Sequence, residues 1–266
     1  MIEALQFEFI QNAILAGILV SFTAGIIGSL IVVNRMVFLA GGIAHTSYGG
    51  IGLAVYTGFP IFLGASLFAV ASALLIAMLT LKKRDRIDTF IGLIWAVGMA
   101  IGVIFIDLTP GYNVDLMSYL FGSILAVTTA DLYFMSILLT VILIVITVWY
   151  REILAVSYDS QYAGIRGINV RFFYTLILVL SALTVVIAIK VVGLILVIAM
   201  LTIPVYIAEK LSNSLLSMMF ISGFIATIFT LVGLWFSYTY NLTSGASIIM
   251  VSAISLGLFL ILYRVK

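Results

Sequence analysis

Apolar runs of about twenty residues recur along most of this chain, separated by short polar or turn-forming breaks. This length is what a transmembrane helix needs, because ~20 residues with a rise of ~1.5 Å each cross the ~30 Å hydrocarbon layer. Of the 266 residues, 65% are hydrophobic and only 8% are charged, whereas about a quarter of a soluble domain is charged. The pattern predicts an all-α membrane protein, a polytopic helix bundle that occupies residues 1–266 as a single transmembrane domain.

The positions of the breaks predict about nine full crossings. The long run from Phe172 to Ala208 is counted as two of them, with a turn near Lys190 to Gly193. The segment 116–129 is shorter than the ~17 residues that a crossing requires, so we interpret it as a partial or re-entrant helix. The remaining predicted crossings are Phe9–Val33, Met36–Thr57, Ile61–Leu81, Thr89–Ile106, Leu132–Tyr150, Leu215–Tyr238 and Ala246–Tyr263.

The basic residues predict the orientation, since short loops rich in Lys and Arg stay in the cytoplasm. With nine crossings and the N-terminus outside, eleven of the twelve basic residues fall inside, and Lys190 is the exception. The expected location is therefore the cell membrane, with a cytoplasmic C-terminus. The predicted inside set is Arg35, Lys82, Lys83, Arg84, Arg86, Arg151, Arg166, Arg171, Lys210, Arg264 and Lys266.

Composition and missing motifs exclude several classes of function. The net charge is only +2 and the basic residues form no patch, so nucleic-acid binding has no support. Cysteine is absent, and neither a phosphate-binding G-x-x-x-x-G-K-[ST] loop nor the H-E-x-x-H or G-x-S-x-G motif occurs. These absences disfavour an enzyme, including an intramembrane hydrolase. An ion-coupled secondary carrier is disfavoured as well, because no carboxylate lies at mid-depth in a predicted span.

The single histidine, His45, lies within the second predicted span in a segment rich in glycine. Gly41, His45, Gly49 and Gly52 recur at helical spacing and place the imidazole on an almost bare helix face. An ionisable side chain at that depth is a candidate for function, and imidazole is a ligand for zinc, manganese or iron. The residues alone leave two interpretations open, a metal pathway and a histidine that bonds a neighbouring helix.

A second candidate is the polar stretch 157–169, which the sequence indicates as a short helix ended by Gly167. A small exposed helix of this kind docks into the groove of a partner protein. The alternative is an ordinary connecting loop.

Six segments in order resemble the permease family of zinc and manganese ABC importers, whose fold is similar to that of the vitamin B12 and iron-siderophore permeases. The resemblance covers most of the chain and includes the stretch from Arg35 to His45. The other matching segments are Asp88–Met99, Asp115–Ala126, Tyr158–Ile168, Val192–Pro204 and Ser244–Ile249.

The resemblance implies a type II ABC importer-like permease, homodimeric or pseudo-dimeric, for a divalent metal ion that moves by alternating access. It implies two partners, a cytoplasmic ATP-binding cassette ATPase that holds the ATP and an extracytoplasmic metal-binding protein, and no tightly bound cofactor. It makes His45 a metal ligand along the pathway, with Gly41, Gly49, Gly52 and Asn241 as lining residues. It assigns the coupling to the ATPase to Tyr158, Asp159, Gly164, Arg166 and Gly167.

The sequence departs from the family pattern at three positions. Gly41 stands where many members carry an aspartate, Asn241 replaces another aspartate, and Thr243 replaces a proline. Fewer carboxylates favour zinc over manganese or iron as the transported ion. A permease for metal chelates or another small solute on the same scaffold is the alternative.

Overall fold

The computed structural model describes residues 6–81, 86–110 and 121–264. Within these ranges the chain is almost entirely helical, and no β-strand occurs in them. The helices are α1 (Glu8–Val33), α2 (Val37–Thr57), α3 (Ile61–Thr80), α4 (Ile87–Asp107), α5 (Thr129–Tyr158), α6 (Ser160–Ile165), α7 (Val170–Val192), α8 (Val197–Leu211), α9 (Leu215–Tyr240) and α10 (Ser244–Arg264).

Some of the predictions concern residues outside the described ranges. These are Asp115, the first part of the 116–129 segment, and the basic residues Lys82, Lys83, Arg84 and Lys266. The described remainder of the 116–129 segment holds a short 3₁₀ turn, Ile124–Ala126, before α5 begins.

Seven helices in the described ranges are long and apolar enough to cross a membrane: α1, α3, α4, α5, α7, α9 and α10. The chain is therefore a multi-pass membrane protein, although the predicted count of nine crossings is not confirmed. Helix α2 has 21 residues, but its glycines, hydroxyl side chains and histidine lower its hydropathy. Helix α8 has 15 residues and spans only about 22 Å, less than the ~30 Å hydrocarbon layer.

The predicted breaks between spans are confirmed where the backbone turns sharply. Gly58 ends α2 with φ +71, and Gly193 follows α7 with φ +85. Both values lie in the left-handed region that glycine adopts at little cost. The expected turn within 172–208 is thus real and lies at its predicted place.

The predicted end of one crossing at Tyr150 lies beside a kink. The backbone leaves helical geometry at Trp149, whose φ and ψ are −116 and 28, and a second helical stretch continues from there to Tyr158. The first part of the expected 151–171 connection is therefore helical. Ile153 and Val156 in this stretch are fully buried, and their burial stabilises it.

The chain divides into two compact units, each built from separate stretches. Unit 1 comprises Met1–Val32, Leu116–Ile144 and Ile187–Lys266, and unit 2 comprises Val33–Asp115 and Val145–Val186. That the whole chain forms a single domain stays a prediction.

In unit 1, α1 packs against α9 through small residues and hydroxyl groups. A Cβ at Gly25 would lie 2.5 Å from the Cα of Gly223, so the backbones are in contact there. The hydroxyl oxygens of Ser21 and Thr230 are 3.0 Å apart, and both groups are buried. Small residues and interhelical hydroxyl bonds are the usual means by which helices associate in a bilayer, so this contact defines the core of unit 1.

In unit 1, an ion pair joins the last turn of α7 to the first turn of α5. Lys190, in the last turn of α7, lies 3.0 Å from Oδ1 of Asp131 in the first turn of α5. Asp131 also accepts hydrogen bonds from the backbone N–H and the hydroxyl of Thr128. Lys190 was the one basic residue on the outer side of the predicted topology, and here its charge is compensated locally.

In unit 2, α2 packs between α3 and α4 through glycine. A Cβ at Gly49 would lie 2.7 Å from the carbonyl oxygen of Gly98 on α4, and one at Gly64 on α3 would lie 2.6 Å from the carbonyl oxygen of Gly50. Since no side chain separates these backbones, the helices approach as closely as sterics allow. Gly98 and Gly102, one helical turn apart on α4, both lie in this contact.

Candidate metal pathway and coupling segment

His45 lies in the middle of α2 and is half-buried. Its Nδ1 lies 2.8 Å from the carbonyl oxygen of Gly41, one turn earlier on the same helix. Since a carbonyl can only accept, Nδ1 carries the hydrogen and donates it, which leaves Nε2 as the acceptor of the ring. A histidine with one nitrogen bonded in this way is prepared to bind a metal through the other.

Trp95 on α4 covers the imidazole of His45. The two ring centroids are 4.1 Å apart and the ring planes differ by 31°. The indole N–H of Trp95 in turn points to the sulfur of Met99, at 3.3 Å. Trp95 was not predicted as a site residue. It lies in the Asp88–Met99 segment, three residues before Gly98 and seven before Gly102, and this helical spacing places it on the same face of α4.

The glycines predicted to line a pathway lie at the contact of α2 with α4. A Cβ at Gly49 or Gly52 would meet the carbonyl oxygen of Gly98 or Gly102, respectively. Gly41, also buried, accepts the hydrogen bond of His45. The structure therefore gives these glycines a packing and bonding role, and their role as pathway lining stays a prediction.

One chain supplies this face with a single imidazole, because His45 is the only histidine of the sequence. In the described ranges, no three His, Cys, Asp or Glu side chains lie close enough together to hold a metal ion.

Asn241 belongs to unit 1, whereas His45 belongs to unit 2. Asn241 ends α9 in the left-handed conformation, with φ +51, and its N–H bonds the carbonyl of Ser237. Asparagine is one of the few non-glycine residues that accept this conformation readily. The structure thus explains Asn241 as a helix cap, and its predicted place in the pathway stays untested.

The predicted coupling segment forms α6, a short helix with both ends capped. The carboxylate of Asp159 accepts hydrogen bonds from the N–H groups of Gln161 and Tyr162, at 3.0 and 2.9 Å. At the other end, Gly167 takes φ +78, and the N–H of Ile168 bonds the carbonyl of Ala163 at 3.0 Å. This is the bonding of a helix closed by a left-handed glycine, as the sequence predicts.

The outward surface of α6 is apolar at its tip and charged at its side. Ile165 is 87% exposed, and Tyr158 and Tyr162 are exposed beside it. The guanidinium of Arg166 lies 5.3 Å from the ring centre of Tyr162. A groove of about 740 Å³ adjoins this surface and is lined by Arg151, Glu152, Leu154, Ala155, Tyr158, Asp159, Tyr162, Arg166 and Ile168.

The structure therefore brings together the five predicted coupling residues and places His45 beside Gly41.

Comparison with known proteins supplies independent findings. The sequence matches the family described as "ABC 3 transport family" over residues 6–264. It is 48% identical to an uncharacterized membrane protein of Synechocystis, over 96% of this chain and 91% of that protein. It is 34% identical to the manganese transport system membrane protein MntC of Listeria innocua, over 94% of this chain and 89% of that protein.

A solved structure, PsaBC from Streptococcus pneumoniae in complex with Fab, has the same fold. The match has a TM-score of 0.85 with 34% sequence identity and covers 98% of this chain and 93% of that one. The helix arrangement described above is therefore that of a known transporter fold.

Proposed function

Because the chain belongs to the ABC 3 transport family, we propose that it transports a divalent metal ion, manganese or zinc, and that His45 binds the ion along the pathway. It is the membrane permease of an ATP-binding cassette metal importer and not an enzyme, since its relatives are permease subunits and ATP hydrolysis belongs to a partner. The observation that carries the proposal is the half-buried imidazole whose Nδ1 is bonded to Gly41 and whose Nε2 is left to accept.

The choice between manganese and zinc rests on two opposing observations. The relatives named for their cargo are manganese transport proteins. Against this, Gly41 and Asn241 stand where carboxylates are common in the family, and an imidazole with few carboxylates suits zinc better than manganese. Competition between the two ions in an uptake assay decides which is preferred.

We further propose that the permease is a homodimer. One chain provides a single imidazole, and a two-fold axis, the commonest symmetry of homo-oligomers, would provide a second. Two His45 side chains facing one pathway would give the ion a pair of nitrogen ligands. Water and backbone oxygens would complete the coordination of the moving ion.

For the topology we propose nine crossings with the N-terminus outside and the C-terminus in the cytoplasm. The seven long apolar helices are joined by α2, which is long enough to cross, and by α8, whose 15 residues complete a crossing together with the residues that flank them. In this arrangement α6 lies in the cytoplasm, with Arg151, Arg166 and Arg171 nearby in sequence. The local pairing of Lys190 with Asp131 supports it, because a neutralised lysine does not oppose the orientation rule.

We propose that α6 transmits the stroke of the ATPase. Its capped ends fix its shape, and the exposed Ile165 with Tyr158 and Tyr162 offers an apolar contact to a partner. ATP binding and hydrolysis in the partner would then move α6 and switch the permease between outward-open and inward-open states. An extracytoplasmic metal-binding protein, which the family implies, would deliver the ion.

The test is metal uptake by the permease reconstituted with its ATPase and binding protein in liposomes. His45→Ala should lower the uptake of manganese and of zinc at limiting ion concentration by about 10- to 100-fold, which is the loss typical of a disturbed metal site. Ser47→Ala, a buried position two residues along α2, serves as the control and should leave uptake unchanged. Normal uptake and unchanged ion preference in His45→Ala would remove the imidazole from the pathway.

A further inference from the structure

We infer that Trp95 is a positioning residue for His45, holding the imidazole so that Nε2 meets the transported ion from one defined direction. The inference rests on the proposed function of His45. It is carried by the stacking of the two rings, with centroids 4.1 Å apart and planes inclined by only 31°.

The imidazole is fixed by two independent contacts. Its Nδ1 donates to the carbonyl of Gly41 at 2.8 Å, which restricts the tilt of the ring about its own helix. The indole of Trp95 covers one ring face, so the ring cannot turn in that direction without losing the stacking contact. An ion can then approach Nε2 only from the side that the indole leaves open.

Trp95 is itself held in place. Its N–H points to the sulfur of Met99 one turn further along α4, at 3.3 Å. The register of α4 on α2 is set by glycine, because a Cβ at Gly98 would lie 2.5 Å from Cγ2 of Thr46, the neighbour of His45. The position of the indole over the imidazole therefore follows from the helix contact, and the bond to Met99 adds to it.

The stacking also favours the ion-bound state of His45. A metal ion withdraws electron density from the imidazole, and the electron-rich face of tryptophan attracts such a positively polarised group. Removal of the indole should therefore weaken the binding of the ion to His45 more than it lowers the rate at which the bound ion is transported. In uptake kinetics this raises KM with little change in the maximal rate.

The first experiment measures uptake of manganese by the reconstituted importer. Trp95→Ala should raise KM on the order of tenfold, the size of a desolvated cation–π contact, whereas Trp95→Phe keeps a stacking ring and should stay close to the parent value. Trp235→Phe, a half-exposed tryptophan on α9, is the matched control and should change nothing. An unchanged KM in Trp95→Ala, with uptake lost in His45→Ala, would overturn the positioning role while leaving the proposed function intact.

The second experiment is spectroscopic and uses the same complex. The sequence has three tryptophans, so Trp149→Phe with Trp235→Phe leaves Trp95 as the only indole of this chain. The importer that carries these changes is compared with the otherwise identical importer whose chain has no tryptophan, and the difference spectrum reports Trp95. Manganese chloride should quench this emission saturably, and His45→Ala should abolish the saturable part. Quenching that survives in His45→Ala would overturn the inference, since the indole would then sense an ion bound elsewhere.

Both sets of results separate the two claims. If His45→Ala transports normally, the proposed function fails and the inference with it. If His45→Ala fails to transport but Trp95→Ala keeps the KM of the parent, or the quenching of Trp95 survives in His45→Ala, only the inference fails. Thermal unfolding of each variant in detergent shows that the changes in KM come from folded protein.

Discussion

Glycines occur both in the contact between α2 and α4 and at the end of the coupling helix α6, but for different physical reasons. In the α2–α4 contact, a Cβ at Gly98 would lie 2.5 Å from Thr46, so there is no room for a side chain. Beside α6, a Cβ at Gly164 would approach only Val170, at 4.0 Å, and one at Gly167 would meet nothing within 4 Å. Gly167 is required instead by its left-handed backbone, with φ +78.

The two regions need glycine for different reasons because their proposed functions differ. The α2–α4 contact must hold His45 and Trp95 in a fixed relation inside the bundle, which requires close backbones without side chains between them. The α6 segment must keep the shape of one exposed turn and leave its outer surface open, which requires caps and space. The same residue type therefore reports tight packing in one region and a turn in the other.

The largest expected effect is on the α2–α4 contact. Gly98→Ala should lower the free energy of unfolding by about 1–3 kcal/mol, since the added methyl group forces the helices apart. Thermal unfolding of the purified protein in detergent measures this. Gly92→Ala, on the same helix but with open space around its Cβ, is the matched control and should be neutral or slightly stabilising. Equal stability of the two variants would show that the contact is looser than described.

An intermediate effect is expected at the end of α6. Gly167→Ala forces a Cβ into the left-handed region and should cost about 1–2 kcal/mol locally, which frays the helix cap. The ratio of ATP hydrolysed to metal transported should rise accordingly. Gly167→Asn should be milder because asparagine tolerates this conformation, and Gly164→Ala should behave like the parent.

A bulky residue at the same end tests the coupling role in another way. Gly164→Leu has room to be accommodated without unfolding the bundle, yet it alters the surface that we propose the ATPase contacts. It should therefore uncouple hydrolysis from transport at unchanged thermal stability. Full coupling in this variant would return the segment to the role of an ordinary connection.

The smallest effect on stability is expected at Ile165, which is 87% exposed. Ile165→Ser removes little buried surface, so the free energy of unfolding should change by less than about 0.5 kcal/mol. Binding of the ATPase to the solubilised permease should nevertheless weaken. Ile195→Ala, at an exposed position of the turn after α7, is the control and should bind the ATPase normally.

Much of the fold was predictable because a bilayer imposes a length and a polarity on each helix. The ends of α1, the left-handed Gly58 and the turn at Gly193 follow from apolar runs and turn residues alone. The extension of α5 to Tyr158 was missed, because Ile153 and Val156 are stabilised by burial that local sequence does not reveal. The number of crossings was not settled either, since α8 is apolar but short.

The candidate site was predictable only in part. His45 is conspicuous as the one histidine in an apolar chain, and Asp159 with Gly167 marks a helix start and end. The stacking of Trp95 on His45 joins residues fifty positions apart in sequence and depends on which faces of α2 and α4 meet. The pairing of Asp131 with Lys190 likewise depends on helix ends that are distant in the chain.

By itself the sequence determined that this is a membrane protein, that its helices are long and that one imidazole lies among them. These properties can be predicted because hydrophobicity and turn chemistry act locally along the chain. Only the tertiary structure decided which aromatic ring covers the imidazole of His45 and which glycines of α2 and α4 face a neighbouring backbone. Those properties arise from contacts between helices, and the energy of such contacts depends on distances that no single segment contains.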